Sequence, residues 1–282
     1  TRTYTYSIVN NKIIHVRKGK IMTVGYIGDT HGSLSNLDYA MTWCFQHAVS
    51  TLVHVGDFWT YQGKATVDKL ERLIITRSKQ FNIENPLLLF IDGNHEFFPL
   101  LDINANTLQE ISPHVKYIPR GMYFEIDNTV FGFLGGATSI DAQYRTNGTD
   151  WFPEESITYT QAQKLVHKVD VLVTHDSSTE VFEDIKKKHF PDSNNTCGAS
   201  DRAYIDMVIY QTQPKYHIHG HHHISQVYTS SQEDFITISL SSDGNTGCAA
   251  IIREDSTIVL SPGKYHKNEG DVIISHHLHE KL

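Results

Sequence analysis

Five short apolar runs in this sequence each lead into a side chain able to bind a metal ion, and that arrangement limits the fold more than any other feature. In four of them a glycine stands directly before the binding residue, as Gly28-Asp29, Gly56-Asp57, Gly93-Asn94 and Gly220-His221, and the fifth is Thr174-His175. The runs themselves (22–27, 52–55, 87–91, 171–173 and 216–219) are bounded by turn residues and read as strands. Ligands of open α/β sheets gather beyond the carboxyl ends of strands, so the chain has to bring these ends together. Amphipathic stretches at 34–49 and 67–81 separate the first three runs, which predicts parallel strands with helical crossovers. Beyond residue 117 the rhythm changes. Runs 122–126 and 130–134 flank Asp127-Asn128-Thr129 as a hairpin, a Gly-rich polar segment fills 135–153, and helices are expected near 154–169 and 199–210. Further β-rich runs occupy 226–228, 235–240 and 249–252. The expected class is α/β, with two packed sheets and helices outside; the alternative is one long doubly wound sheet. Residues 3–20 alternate around Asn10-Asn11 as an N-terminal β-hairpin. The expected division is therefore a hairpin extension over 1–20, one main domain over 21–262 and a His-rich tail over 263–282.

The residue types at the strand ends agree on one chemistry. Carboxylate, imidazole and amide oxygen without thiolate select hard or borderline divalent ions such as manganese, iron, zinc, nickel or magnesium. Histidine is abundant, at 18 of 282 residues, but part of that excess is surface, as in His276, His277 and His279. The run containing His217, His219, His221, His222 and His223 could alone be a metal-scavenging tract. A formal charge of -8 argues against nucleic-acid backbone as the main partner, leaving nucleic acid an unfavoured one. No apolar run reaches the length of a membrane span and no charged-then-apolar leader precedes the first motif. Three cysteines at unrelated spacings suit reduced thiols, so a cytoplasmic protein is expected.

The ordered set Gly28-Asp29-Thr30-His31-Gly32, Gly56-Asp57, Gly93-Asn94-His95-Glu96, Thr174-His175 and Gly220-His221-His222-His223 resembles the calcineurin-like metallophosphoesterase family, over about 21–252. The looser Gly135-Gly136-Ala137-Thr138-Ser139 segment is similar to bacterial and phage members. The resemblance implies a two-sheet β-sandwich flanked by helices, and two divalent ions, manganese foremost. One ion would be held by Asp29, His31, Asp57 and His223, the other by Asp57, Asn94, His175 and His221, with Asp57 bridging. It also implies attack on phosphorus by a hydroxide shared between the ions, charge stabilisation by Asn94, and His95 as proton donor or phosphate contact. The second motif departs from the protein Ser/Thr phosphatases, because Gly56-Asp57 continues as Phe58-Trp59-Thr60-Tyr61. A small phosphorylated substrate, mono- or diester, with a nucleotide among the candidates, is expected instead. Phe58 and Trp59 are candidate walls of its cleft. In the 135–153 loop, Arg145 is suited to grip a phosphate oxygen and Trp151 to stack on a base or cover the site. Two competing readings keep the metals: a nuclease, which needs a basic groove with stacking aromatics, and a non-catalytic binding protein, which the intact Asn94-His95 pair disfavours.

Overall fold

The structure is a computed structural model that describes residues 24–58, 64–229, 235–265 and 269–275; the expected hairpin at 1–20 and Trp59 lie outside them. The first half runs β1 (Val24–Ile27), α1 (Leu34–Gln46), β2 (Thr51–His54), α2 (Lys64–Gln80), β3 (Leu87–Phe90), β4 (Gln109–Ser112), β5 (Val115–Tyr117), β6 (Met122–Ile126) and β7 (Thr129–Leu134). The second half runs α3 (Tyr159–Ala162), β8 (Val171–Thr174), α4 (Thr179–His189), α5 (Ala199–Thr212), β9 (Tyr216–His219), β10 (Gln226–Thr229), β11 (Ile236–Ser239), β12 (Ala249–Ile252), β13 (Ile258–Leu260) and β14 (Val272–Ile274).

These strands form two sheets. One has eight strands in the order β14-β13-β12-β1-β2-β3-β5-β4, the other six in the order β10-β11-β9-β8-β7-β6. The chain changes sheet between β5 and β6, so the fold is a sandwich and not one doubly wound sheet. Central parallel strands such as β3 and β8 are apolar on both faces, as strands covered on both sides tend to be, whereas β9 buries His217 and His219 beside Tyr216 and Ile218. Val53, Leu89, Phe133, Val173 and Ile218 point into the layer between the sheets. Leu52, Leu88 and Phe90 point outward onto α1 and α2, and Leu134 and Leu172 point outward onto α3 and α5. The result is four layers, helix, sheet, sheet, helix. Among the described residues no helix is long and apolar enough to cross a membrane.

One expectation fails. In place of a helix over 154–169 there is a single 3-10 turn at Pro153–Glu155 and the one-turn α3. The cause is Arg120, fully buried against Asp92 at 2.6 Å. Its guanidinium donates to the carbonyls of Glu154, Glu155 and Ser156, at 2.8, 3.0 and 2.8 Å. Carbonyls engaged this way are withdrawn from a helical ladder, and the helix begins only where Thr158 caps it. Within 263–282, β14 adds an edge strand, and Asp271 before it accepts hydrogen bonds from Trp43 of α1 and His47 at its end.

Candidate metal centre

The carboxyl ends of β1, β2 and β3 in one sheet and of β8 and β9 in the other open onto one point. β1 delivers Asp29 and His31, β2 Asp57, β3 Asn94 and His95, β8 His175, and β9 His221 and His223. Four of these, His31, Asp57, His221 and His223, have left-handed backbones, with φ of 45°, 52°, 65° and 57°. Each such position in a non-glycine residue costs about 1–3 kcal/mol and persists only where its surroundings enforce it. Here the enforcement is visible. The amides of Thr30 and His31 both donate to the Asp57 carbonyl, the His221 amide to Asp29 Oδ2, and the His95 amide to Asp57 Oδ1. Gly93 and Gly220 allow the close approach, since a Cβ at Gly93 would collide with Asp57 Oδ1 and one at Gly220 with Asp29 Oδ1.

The side chains converge in two groups that share Asp57. Asp57 Oδ2 lies 3.5 Å from His31 Nε2, and its Oδ1 lies 3.4 Å from His175 Nε2. Asp29, His31, Asp57 and His223 present four ligand atoms all within 4.8 Å of one another, and His223 Nε2 stands 3.2 Å from Asp29 Oδ2. On the other side Asn94 Oδ1 lies 3.1 Å from His175 Nε2 and 3.0 Å from His221 Nδ1. The other oxygen of Asp29, Oδ1, is buried with no hydrogen-bond partner. A buried carboxylate oxygen left bare is costly, and a divalent cation among these oxygen and imidazole donors removes that cost.

The electrostatics describe a centre crowded with negative charge. Burial works against protonated His31, but the hydrogen bond to Asp57 and the charges of Asp57, Asp29 and Asp243 outweigh it and push His31 up to about 9. Burial is likewise outweighed at His175, where Asp57 and Asp29 push the imidazole up to about 10. Burial works to raise the Asp57 carboxyl, yet His175 and His31 hold it well below the usual carboxylate range. His221 goes the other way, lowered to about 3 chiefly by burial.

A third cluster, Asp176, His221 and His222, also offers ligand atoms within 4.8 Å of one another. Its carboxylate is already satisfied: Asp176 meets His222 at 2.9 Å and Arg202 at 3.3 Å, and accepts the Ser177 amide. The bare oxygen of Asp29 therefore marks the stronger cation position.

Arg145 turns inward. One guanidinium nitrogen lies 2.9 Å from His95 Nε2 and another donates to Asp141 at 2.9 Å, while its third, Nη1, is buried without a partner. Burial pushes His95 down, and although Asp57 pulls the other way, the Arg145 charge adds to the lowering. Trp151 is half-buried in the same loop, bridged to Asn147. Phe58 is no cleft wall: it packs in the core against Phe90 and His54, with its amide donating to Glu96.

Several side chains that hold the candidate ligands were not singled out by sequence. Asp243 accepts from His31 Nδ1 at 3.2 Å and from Asn36 at 3.1 Å. The Val55 carbonyl accepts from His175 Nδ1 at 2.8 Å. Such partners fix the tautomer and aim of a metal-binding imidazole. The loop that carries Arg145 also contains Ser139, which accepts from the Asn94 amide, and it leads to Glu155, which accepts from Ser139.

The family model of the calcineurin-like phosphoesterases matches residues 22–225. No curated protein sequence matches significantly. Among solved structures, a dimetal phosphatase from Danio rerio superposes with a TM-score of 0.51 at 16% identity, over 91% of this chain and 99% of that one. GAP50, the anchor in the inner membrane complex of Plasmodium, superposes with a TM-score of 0.51 at 14% identity, over 91% and 89%. At such identities the likeness is one of fold.

Proposed function

The chain belongs to the calcineurin-like phosphoesterase family, and from that premise we propose that it hydrolyses phosphate mono- or diesters of small molecules at a pair of divalent ions. The observation that carries the reading is the division of Asp57 between two imidazoles, His31 and His175, beside a buried Asp29 oxygen with no partner. One ion would be held by Asp29, His31, Asp57 and His223, and the second by Asp57, Asn94, His175 and His221. Manganese is the proposed metal, and iron, zinc, nickel and magnesium suit the same oxygen and nitrogen donors. When bound, such a pair supplies an acidified water at neutral pH and positive charge for the phosphoryl oxygens.

The protein's own groups do the rest. Arg145 now spends one N–H on His95 Nε2, which makes that nitrogen an acceptor and leaves it no proton to give. An incoming phosphate is a better partner for the guanidinium, because charge-assisted bonds to phosphate are shorter and stronger than a bond to a neutral imidazole. Drawing Arg145 onto the substrate frees the His95 Nε2 lone pair to take up a proton from solvent and pass it to the leaving oxygen. Trp151 and Trp59 are retained as candidate contacts for the remainder of the substrate. The net charge of -8 favours a small substrate over a polynucleotide, and three free thiols suit the cytoplasm.

The test is turnover by the purified chain loaded with manganese, against p-nitrophenyl phosphate, bis-p-nitrophenyl phosphate and a single-stranded oligonucleotide. Hydrolysis of one or both small esters with two ions bound per chain is expected. Cleavage of the oligonucleotide alone would make it a nuclease, and two bound ions without turnover of any ester would make it a binding protein.

A further inference from the structure

Asn94 occupies the most exacting position in the centre, because its amide has two unlike ends of nearly the same shape. The oxygen faces His175 and His221, at 3.1 and 3.0 Å, and the nitrogen donates to Ser139 Oγ at 3.0 Å. A cation accepts only the oxygen end. Shape does not select it, so hydrogen-bond polarity has to. Ser139 has one hydroxyl proton, and Glu155 takes it: Ser139 Oγ donates to Glu155 Oε2 at 2.7 Å, while the Ser139 amide donates to Oε1 at 2.6 Å. With its proton committed, the hydroxyl faces Asn94 with lone pairs alone and accepts only an N–H. All three side chains are buried, at 5%, 3% and 0% exposure, which keeps solvent from offering a different donor. Arg120 ties the ends of this relay to one framework, since it binds the Glu155 carbonyl and pairs with Asp92, two residues before Asn94.

We propose that Glu155 is a positioning residue for the metal centre: by taking the Ser139 proton it decides which end of the Asn94 amide faces the second cation. The inference rests on the dinuclear reading above, and neither Glu155 nor Ser139 touches the cation in it.

Glu155→Gln tests the polarity at nearly constant volume. The glutamine oxygen can still accept the Ser139 amide, which leaves its NH2 to donate to Ser139 Oγ. The hydroxyl proton is then redirected to Asn94, whose amide turns its oxygen to meet it and presents N–H groups to the cation. Manganese binding to the full chain is measured by equilibrium dialysis with elemental analysis, and by electron paramagnetic resonance of the coupled pair. The wild type should bind two ions. Glu155→Gln should weaken one of them ~10–100-fold, as loss of such supporting contacts does, and lose the coupled signal while keeping the other ion. In an Asn94→Asp background both ends are oxygen, so adding Glu155→Gln should cause no further loss. Ser139→Ala removes the relay without touching Glu155 and should weaken the same ion; it decides the matter if Glu155→Gln does not fold. Wild-type affinity for both ions in Glu155→Gln or Ser139→Ala, equal weakening of both ions, or an undiminished Glu155→Gln effect in the Asn94→Asp chain would overturn the proposal. A wild type that binds no pair of ions would overturn the dinuclear reading itself, an outcome distinct from these.

Discussion

Asp57 is the residue on which both halves of the centre depend, since its two oxygens face different imidazoles. An amide in its place keeps the shape but supplies no negative charge to neutralise two cations. Asp57→Asn should therefore lose nearly all activity and part of its metal, and elemental analysis showing wild-type content and rate would refute the bridging role. His95 sits beside the centre with its ring against Arg145, so His95→Ala should keep both ions and lose ~10²–10⁴-fold in kcat, the usual worth of a positioned proton donor. Arg145→Ala should act mainly on KM and leave metal content unchanged, which steady-state kinetics with elemental analysis would show. The candidate ligands were legible in the sequence because their types and spacing announce one chemistry at successive strand ends. Asp243, Ser139 and Glu155 were not. They act through other residues, and the Asp243 contact with His31 spans 212 positions of chain, so no local pattern marks it.

At the scale of elements, strands were read more reliably than the segments between them. A buried strand writes its own signature as an apolar run, as β1, β2 and β3 do, whereas the 154–169 segment has helical composition and is overruled by a side chain from a distant loop. Arg120 illustrates how such an override is secured: both it and Asp92 have no exposed side-chain surface, and three further backbone carbonyls depend on the same guanidinium. Arg120→Met would leave Asp92 buried and unpaired, and breaking a buried pair from one side costs about 3–5 kcal/mol. A denaturant titration should show the loss. Unchanged stability would mean that the 153–157 turn is held by its own local bonds.

For the whole molecule, the buried histidines set a pH window. His54 and His217 are lowered to about 3, in both cases chiefly by burial. Unfolded, each would titrate near 6.5. The unfolded chain therefore binds more protons between about 6.5 and 3, and each group subtracts about 1.4 kcal/mol of stability per pH unit as pH falls through that range. His31 and His175 have the opposite sign. Raised to about 9 and 10, they favour the metal-free fold fully below about 6.5, and that contribution is lost as pH rises through their folded values. Metal-free protein should be most stable between the two regimes, which thermal melts across pH would reveal. Cations need both imidazoles unprotonated, so loading at pH 7 should release protons and weaken in acid. Calorimetry in buffers of different ionisation enthalpy would detect the release.

The origin of the ligands has a mechanical consequence. Each proposed cation position draws residues from both sheets, Asp29, His31, Asp57 and Asn94 from one and His175, His221 and His223 from the other. A cation held there is a rivet through the seam of the sandwich, resisting both splaying and shear at the end where the loops are most strained. Among the described residues the opposite end is held chiefly by apolar packing along that seam, with Val24, Ile126 and Phe131 among its residues, and by the exposed hydrogen bond from Lys215 to Ser256 at 3.2 Å. Under load the metal-bearing molecule should then tear from the end remote from its chemistry, leaving the reacting residues among the last to part.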